Sequence, residues 1–418
     1  MSTIIRNIKG TKDVLLNETL IWQFIESKIH SFLKKYGFHE IKTPAFENTN
    51  LFIRSIGEQT DIVAKEMYSW TDQGGNHLTL KPEVTASVAR AYIQHSLGKK
   101  NPLNKLYYID SLFRRERPQK GRYRQFHQFG IEVIGSPFPE QDAEVIALAY
   151  NFYNFLGVNE LVLKVNSIGS KETRITYRKK LHDYLLPYKN KLTKVSQKRL
   201  ITNPLRILDT KVDFEIEIIN KAPHIVDCLS KDDKKHFDQT LNFLDNLNIK
   251  YILDHNLVRG LDYYSRTVFE IQSNQLGAQD ALCGGGRYDY LIEDLGGKST
   301  PAIGFAAGIE RLILALNVKD ETLIQRPDIY IITIGEDALQ YSLNIAELLR
   351  INKEFIVITD TLRRSIKAQM KEANKLNVKY AIIIGDDELK NNQATIKNMD
   401  SGKQENIPFD QIEPYFNK

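Results

Sequence analysis

Hydrophobic residues in the first part of the chain change repeatedly between helical and strand spacing. From about Asn17 to Lys35 they recur every three or four positions, which predicts an amphipathic helix. The segments MYSW and LTL flank TDQGGNH and predict a hairpin. PEVTASVARAYIQHSL then predicts a helix with Pro82 near its start. These elements precede a second, more unusual hairpin.

The second predicted hairpin spans residues 113–135, FRRERPQKGRYRQFHQFGIEVIG, and has an arginine-rich loop. Side chains alternate between the two faces of a strand, so one face after the loop is apolar, with Phe129, Ile131 and Val133. The other face carries Phe126, Gln128, Gly130 and Glu132. A polar face costs free energy when it is buried without partners, so we expect this face to line a site. A solvated surface hairpin is the alternative.

The middle of the chain predicts a helix at Asp142–Phe155, a strand in LVLKVNSIG and a further strand in RTVFEIQ. Between residues 164 and 206 only Glu172 and Asp183 are acidic, whereas lysine and arginine are frequent. Such a run is either a solvated face or an RNA-facing surface. The composition between about 170 and 250 predicts a mainly helical insertion in a larger β-rich domain.

After QRPDI the pattern becomes a regular alternation of strands (IYIITIG, FIVITD, VKYAIIIG) and helices. Such alternation predicts a separate α/β domain with a largely parallel sheet. Its second helix, RRSIKAQMKEANKL, is predicted to carry a basic stripe of Arg364, Lys367, Lys371 and Lys375. The stripe indicates either phosphate contact or surface solubility.

Composition excludes several classes of protein. The chain has 418 residues, 42% hydrophobic and 26% charged, with a formal net charge of +5, as in ordinary globular proteins. Cys228 and Cys283 are the only cysteines and stand in no CxxC or Cys/His cluster, so neither a disulfide framework nor a zinc site is indicated. No apolar run reaches about 18 residues. We therefore expect a cytoplasmic protein without a membrane span or metal site.

Two segments combine charge with backbone freedom. LKPEVT opens a predicted helix, where Glu83 and Thr85 either cap the helix or receive an ammonium group. LVRGLDYYSRTVFEI places Arg259 before Gly260 and the tyrosines 263 and 264, combining a cation, a flexible backbone and hydroxyl groups.

Two glycine-rich segments follow. ALCGGGRYDYLI permits close approach of the backbone to a ligand, or contains a bulged turn. AIGFAAGIERLILAL is interpreted as one helix on which Gly304, Gly308 and Arg311 share a side, leaving room for a phosphate ligand or for helix packing. The glycine-rich stretches match neither a Walker A loop nor a Rossmann fingerprint, so any ATP would have to be held in another way.

Taken together and in this order, these pieces resemble class II aminoacyl-tRNA synthetases, and specifically the histidyl-tRNA synthetase family. FRRE with RYRQF is similar to motif 2 of the class, GIERLILAL to motif 3, and the segment from Asn17 to Glu47 to motif 1. LVRGLDYYSRTVFE and ALCGGGRYDYL resemble the two signatures of the histidine family. The similarity covers essentially the whole chain.

The resemblance implies an α+β fold with an antiparallel sheet flanked by helices. Residues 1–325 would form the catalytic domain, with the helical insertion at about 170–250. Residues 326–418 would form an α/β anticodon-binding domain. It also implies a homodimer.

The implied reaction joins histidine to its tRNA through a histidyl-adenylate, with ATP and Mg²⁺ and with release of AMP and pyrophosphate. The resemblance assigns Arg259 and Arg114 to catalysis. Histidine would be bound by Glu83, Thr85, Arg114, Gln128, Glu132, Arg259, Tyr263 and Tyr264. ATP would be bound by Arg114, Glu116, Arg122, Phe126 and Arg311.

One alternative is a non-catalytic relative that regulates the first enzyme of histidine biosynthesis. Such proteins typically lack the C-terminal domain and the histidine signatures, both of which this sequence has. A synthetase for another amino acid and a pure RNA-binding module are further alternatives, and the histidine signatures and the acidic residues of the predicted site speak against them.

Overall fold

The computed structural model describes residues 4–15, 17–58, 60–119, 121–316 and 325–416. The chain divides into two compact units, Met1–Asp320 and Glu321–Lys418. No helix among the described residues is long and apolar enough to cross a membrane. Each unit has its own sheet and its own hydrophobic core.

The first unit begins with the predicted helix α1 (Asn17–Lys34) and continues through short elements. These are β1 (His39–Glu40), β2 (Phe46–Asn48), α2 (Thr49–Ile56), a π-helical turn (Ile62–Glu66), β3 (Tyr68–Thr71), β4 (His77–Leu80), α3 (Thr85–Gln94) and α4 (Leu97–Lys100). Strands β2, β4 and β3 form a small antiparallel sheet, so the predicted MYSW–LTL hairpin is present.

The main sheet has eight strands in the order β1-β5-β6-β11-β10-β9-β7-β8. Its remaining strands are β5 (Asn104–Phe113), β6 (Gln125–Ile134), β7 (Leu161–Ser167), β8 (Ile252–Leu253), β9 (Ser265–Ser273), β10 (Ala281–Arg287) and β11 (Ala302–Gly308). The six central strands pair antiparallel, and only the two short edge strands pair parallel. The antiparallel α+β architecture expected from the resemblance is confirmed.

Helices cover this sheet and connect its strands. They are α5 (Pro139–Phe155), α10 (Leu291–Asp294) and α11 (Ile309–Leu316), with the insertion helices α6 (Lys171–Leu185), α7 (Lys194–Thr202), α8 (Asp213–Ile219) and α9 (Lys231–Asn246). Short 3₁₀ turns separate the insertion helices and follow β9, at Leu186–Lys191, Pro204–Ile207, Ile225–Cys228 and Asn274–Gln279. The insertion is thus helical throughout its regular elements.

One sequence-based prediction is wrong in this unit. The helix predicted over AIGFAAGIERLILAL begins only at Ile309, and the preceding residues 302–308 form strand β11. This strand pairs with β6 on one side and with β10 on the other, so backbone hydrogen bonds along both edges override the helical spacing of the apolar residues. Gly304 and Gly308 therefore lie on a strand, whereas Arg311 lies in the first turn of α11.

The second unit contains β12 (Ile329–Thr333), α12 (Asp337–Lys353), β13 (Val357–Thr359), α13 (Ile366–Lys375), β14 (Tyr380–Ile384), α14 (Asp386–Lys390), β15 (Gln393–Asn398), β16 (Gln404–Pro408), a 3₁₀ turn (Phe409–Gln411) and α15 (Ile412–Tyr415). The sheet order is β13-β12-β14-β15-β16. The predicted strands β12, β13 and β14 are parallel, but the last two strands were not predicted and pair antiparallel. Arg364 also lies before α13, where it pairs with Asp360, so the predicted basic stripe is shorter by one residue.

Candidate active site

A cavity of about 370 Å³ opens on the main sheet of the first unit. Strands β5, β6, β10 and β11, the start of α3 and the irregular segment 259–264 surround it. The lining includes all twelve residues that the sequence analysis selects, namely Glu83, Thr85, Arg114, Glu116, Arg122, Phe126, Gln128, Glu132, Arg259, Tyr263, Tyr264 and Arg311. Residues up to 228 positions apart in sequence therefore meet in one place.

One side of the cavity is an acidic wall, formed by Glu83 and Glu132 with the surrounding hydroxyl groups. Glu132 is on β6 with 1% exposure, and its Oε1 accepts a 2.7 Å hydrogen bond from Thr85 Oγ1. The Tyr288 hydroxyl donates to Oε2, and the Tyr108 hydroxyl is 3.5 Å from Oε1. Burial raises the pKa of Glu132 to about 8, against the effect of the Tyr288 and Thr85 hydrogen bonds, which lower it.

Glu83 is the second carboxylate of the acidic wall and stands at the entrance to α3. Its Oε1 accepts the backbone N–H of Ala86 at 2.9 Å, so the predicted helix-capping interaction is present. Among the described residues, Glu83 Oε2 is buried and has no hydrogen-bond partner. Burial raises the pKa of this carboxyl group. One oxygen thus holds the helix and the other remains available to a donor from the cavity.

A second group of lining residues is basic and is called the basic wall: Arg114, Arg122 and Arg311, with the ring of Phe126. The Arg114 guanidinium lies 5.2 Å from the centre of the Phe126 ring and donates from Nε to the Pro82 carbonyl at 2.9 Å. Arg122 lies 3.6 Å from the Glu116 carboxylate. Burial, together with the like charges of Arg122 and Arg114, lowers the pKa of Arg311. An anion between these arginines would remove that repulsion.

Arg259 also lines the cavity and interacts with a residue that the sequence analysis did not select. Its Nη1 donates to Glu270 Oε2 at 2.6 Å. Among the described residues, Arg259 Nε is buried without a hydrogen-bond partner. A Cβ atom on Gly284 would collide with the guanidinium group of Arg259. The sequence analysis predicted that the glycine run lets its backbone approach a ligand, and at Gly284 the group that approaches the backbone is this side chain. Arg259 therefore retains a donor for a ligand.

Polar residues that sequence reasoning missed include Tyr108 and Tyr288, which line the cavity, and Glu270, which pairs with Arg259. Glu270 lies opposite Gly284 in the β9–β10 register. Its signal was a single acid within the otherwise apolar strand TVFEI. Tyr288 lies two positions after the last residue of the glycine run, but nothing in the local sequence indicates that its hydroxyl reaches Glu132. These partners come from the sheet register, which connects distant segments.

Comparison with known proteins gives consistent results over both units. The profile of the histidyl-tRNA synthetase family matches residues 10–312, and that of the anticodon binding domain matches residues 328–418. Curated relatives include the histidine-tRNA ligases of Caldanaerobacter subterraneus subsp. tengcongensis, 44% identical over 97% of each chain, and of Caldicellulosiruptor saccharolyticus, 48% identical over 95% of each chain.

Solved structures give the same result. The structure of apo S. aureus histidyl-tRNA synthetase is 38% identical, has a TM-score of 0.81, and covers 99% of this chain and 100% of its own. A Bacillus halodurans C structure, described as an ATP phosphoribosyltransferase regulatory subunit/histidyl-tRNA synthetase, is 22% identical with a TM-score of 0.66. That lower identity shows a shared fold alone.

Proposed function

Because this chain belongs to the histidyl-tRNA synthetase family, and therefore attaches histidine to tRNA using ATP, we propose a role for each wall of its cavity. In this proposal the acidic wall binds histidine, the basic wall binds ATP, and Arg259 acts where the two substrates meet. The full-length relatives at 44% and 48% identity are ligases, which favours this activity over the regulatory alternative.

The proposed histidine site uses the unpaired oxygen of Glu83, with Thr85 and Gln128, for the ammonium group. Glu132 and Tyr264 bind the two imidazole nitrogens, with Tyr263 beside them. Two buried carboxylates with raised pKa values support this assignment, because a cation between them offsets the cost of their burial. A site built to pair both ring nitrogens rejects analogues by roughly 10⁴-fold, since a wrong side chain leaves buried groups unpaired.

The proposed ATP site uses Arg114 for the α-phosphate and Arg311 for the γ-phosphate, with Glu116, Arg122 and Phe126 around the nucleotide. Its support is the convergence of three arginines on one wall beside an aromatic ring. Guanidinium groups bind phosphate oxygens by two parallel hydrogen bonds, and an aromatic ring offers a stacking surface for the base.

In the proposed chemical step, the histidine carboxylate attacks the α-phosphorus of ATP and pyrophosphate leaves. Negative charge then spreads over the transferring group, and Arg259 and Arg114 stabilise it from fixed positions. The unpartnered Nε of Arg259 supports this role, because it is a buried donor on a residue that lines the cavity. The histidyl-adenylate then passes histidine to the terminal adenosine of the tRNA and AMP is released.

ATP is proposed to bind with Mg²⁺. Within the described residues, no group of three or more His, Cys, Asp or Glu side chains is arranged to hold a metal ion. Mg²⁺ is proposed to enter on the phosphates of ATP, as part of the substrate.

Histidine-dependent exchange between ATP and pyrophosphate in the absence of tRNA tests this proposal directly. We expect exchange with histidine and not with any of the other standard amino acids. An exchange rate that does not increase when histidine is added would contradict the proposed function of the cavity.

We further propose that residues 1–325 form the catalytic domain and residues 326–418 the anticodon-binding domain. The first family profile ends at residue 312 and the second begins at residue 328, and the proposed boundary lies between these positions. Removing residues 326–418 should weaken aminoacylation more than pyrophosphate exchange. Equal loss of both would contradict the assignment.

The remaining proposals concern assembly and location. A homodimer is supported by the exposed isoleucines near the start of the chain, Ile4, Ile5 and Ile8, which are 83%, 96% and 71% exposed. Light scattering on the purified protein measures the assembly, and a monomer at micromolar concentration would contradict it. A cytoplasmic location is supported by Cys228 and Cys283, which are both free thiols.

A further inference from the structure

The segment 259–264 carries three residues of the proposed site, yet its centre belongs to no regular strand or helix. Its approach is held by the sheet, because Asn166 on β7 donates to the Leu257 carbonyl at 3.0 Å. Beyond Arg259, the partners come mainly from the helical insertion. Contacts that hold Gly260 and Asp262 also hold Arg259 and Tyr264, which lie on either side of them.

Two insertion arginines donate directly to the backbone of this segment. Arg206, in the 3₁₀ turn Pro204–Ile207, donates from Nη2 to the Gly260 carbonyl at 2.8 Å. Arg174, on α6, donates from Nη1 to the Asp262 carbonyl at 3.1 Å. Each of these charge-assisted bonds satisfies a carbonyl that no strand pairing satisfies.

The Asp262 side chain is also enclosed. The Asn203 amide is 3.4 Å from its Oδ1, its backbone N–H donates to the Ile56 carbonyl at 3.2 Å, and its carboxylate lies against Gly57. Burial raises the pKa of Asp262, while the charges of Arg206, Arg174 and Arg178 lower it. The carboxylate therefore depends on the insertion for its neutralising charge.

Arg206, together with Arg199, also reaches a second segment of the cavity wall. Arg206 Nη1 and Arg199 Nη2 lie 3.6 and 3.5 Å from Asp61 Oδ2, and Asp61 directly precedes the π-helical turn Ile62–Glu66. Both ends of that turn line the cavity. The guanidinium group of Arg206 thus contacts two segments of the cavity wall that are about 200 positions apart in sequence.

We propose that Arg206 and Arg174 are positioning residues for adenylation, through which the helical insertion holds the histidine side of the pocket in its working geometry. The inference rests on the proposed roles of Arg259 and Tyr264 in binding and activating histidine. It gives the insertion a function in the first step of the reaction, before tRNA binds. On the nucleotide side of the pocket, Arg114, Arg122 and Phe126 belong to the β5–β6 hairpin and its loop.

The test compares Arg206→Ala, Arg174→Ala and Arg206→Lys in the full-length protein, using pyrophosphate exchange without tRNA. We expect both alanine variants to raise the histidine KM about tenfold and to lower kcat, with the ATP KM within about twofold of wild type. Arg206→Lys keeps the charge beside Asp61 but not the planar fork, so it should recover part of the loss.

Lys179→Ala is the matched control, because Lys179 is an exposed basic side chain on the same helix as Arg174. It should leave both KM values unchanged. A thermal melt of each variant detects unfolding, and if Arg206→Ala does not fold, Arg174→Ala decides. Unchanged histidine KM in the folded alanine variants, or equal changes in both KM values, would overturn the inference. Wild-type protein without histidine-dependent exchange would instead overturn the proposed function.

Discussion

The two walls of the cavity differ in charge and in the direction in which burial moves their pKa values. On the acidic wall, burial raises the pKa of Glu83 and Glu132, so these groups resist ionisation until a cation arrives. On the basic wall, burial and neighbouring arginines lower the pKa of Arg311. The charged form of the side chains is therefore disfavoured on each wall, and each of the proposed substrates supplies the opposite charge.

In the proposed function, this difference in charge determines which chemical groups of the two substrates lie against each wall. Histidine has its positive charges at the ammonium group and ring, and ATP has its negative charges on the phosphates. In the proposed arrangement, the two walls would orient the histidine carboxylate towards the α-phosphate, and proximity of this kind contributes a large part of the rate enhancement of bimolecular reactions. Substitutions on one wall should affect the substrate of that wall alone, whereas substitution of Arg259 should affect the chemical step.

The largest effect is expected for Arg259→Ala. The substitution removes a preorganised donor from the developing charge, so kcat for pyrophosphate exchange should fall by about 10³-fold while the histidine KM changes much less. Steady-state exchange at varied histidine concentration measures both constants. A variant with near wild-type turnover would show that the catalytic cation is another residue, and the melting temperature serves as the control for folding.

A smaller effect, confined to one substrate, is expected for Glu132→Gln on the acidic wall. The amide keeps the size of the side chain but loses the charge, so the histidine KM should rise about 100-fold with the ATP KM unchanged. Exchange kinetics with each substrate varied in turn gives the two values. A parallel rise in the ATP KM would break the proposed division between the walls.

The same variant should change how stability depends on pH. The folded protein holds the Glu132 proton up to about pH 8, whereas an unfolded chain releases it near 4.5. The free energy of unfolding in the absence of substrate should therefore fall as pH rises between those values, by roughly 1.4 kcal/mol per pH unit from this group. Melting curves at pH 5.5 and pH 8 should show a smaller loss in Glu132→Gln than in wild type, and equal losses would contradict the raised pKa.

On the basic wall, Arg311→Ala should raise the ATP KM by about tenfold, because Arg114 and Arg122 remain to hold the other phosphates. The histidine KM should stay within twofold. Arg311→Lys separates charge from geometry, since lysine keeps the charge without the paired donors. If the histidine KM rose as much as that for ATP, Arg311 would not belong to one wall.

The smallest effect is expected for Phe126→Ala, which removes the ring below Arg114. Loss of stacking should cost about 1 kcal/mol and raise the ATP KM a few-fold. Phe126→Tyr keeps the ring and serves as the control. An unchanged ATP KM in the alanine variant would mean that the base lies elsewhere.

Sequence alone predicts the β5–β6 hairpin well, because strict alternation separates the buried Phe129, Ile131 and Val133 from the cavity-facing Gln128 and Glu132. That local period depends only on strand geometry. The candidate site residues came from the resemblance together with these motifs. The cavity brings all of them together, but their individual roles stay predictions.

What the sequence does not reveal depends on pairing between distant strands. Residues 302–308 have helical spacing, yet two neighbouring strands make them a strand. The pairing of Arg259 with Glu270 follows from the position of the 259–264 segment over β9 and β10, which no local pattern encodes. The strands β15 and β16 were missed because QATIKN and QENIP contain few apolar residues.

Gly304 on β11 lies directly opposite Glu132 on β6, and a Cβ atom at this position would collide with the Glu132 carboxylate. Because glycine has no side chain, no substitution at residue 304 can enlarge the space for the imidazole ring in the proposed histidine site. Attempts to adapt the protein to bulkier histidine analogues must begin at Tyr108 or Tyr288, whose removal also exposes Glu132 to water. A wider pocket and a well-oriented ring are therefore competing goals for the protein engineer.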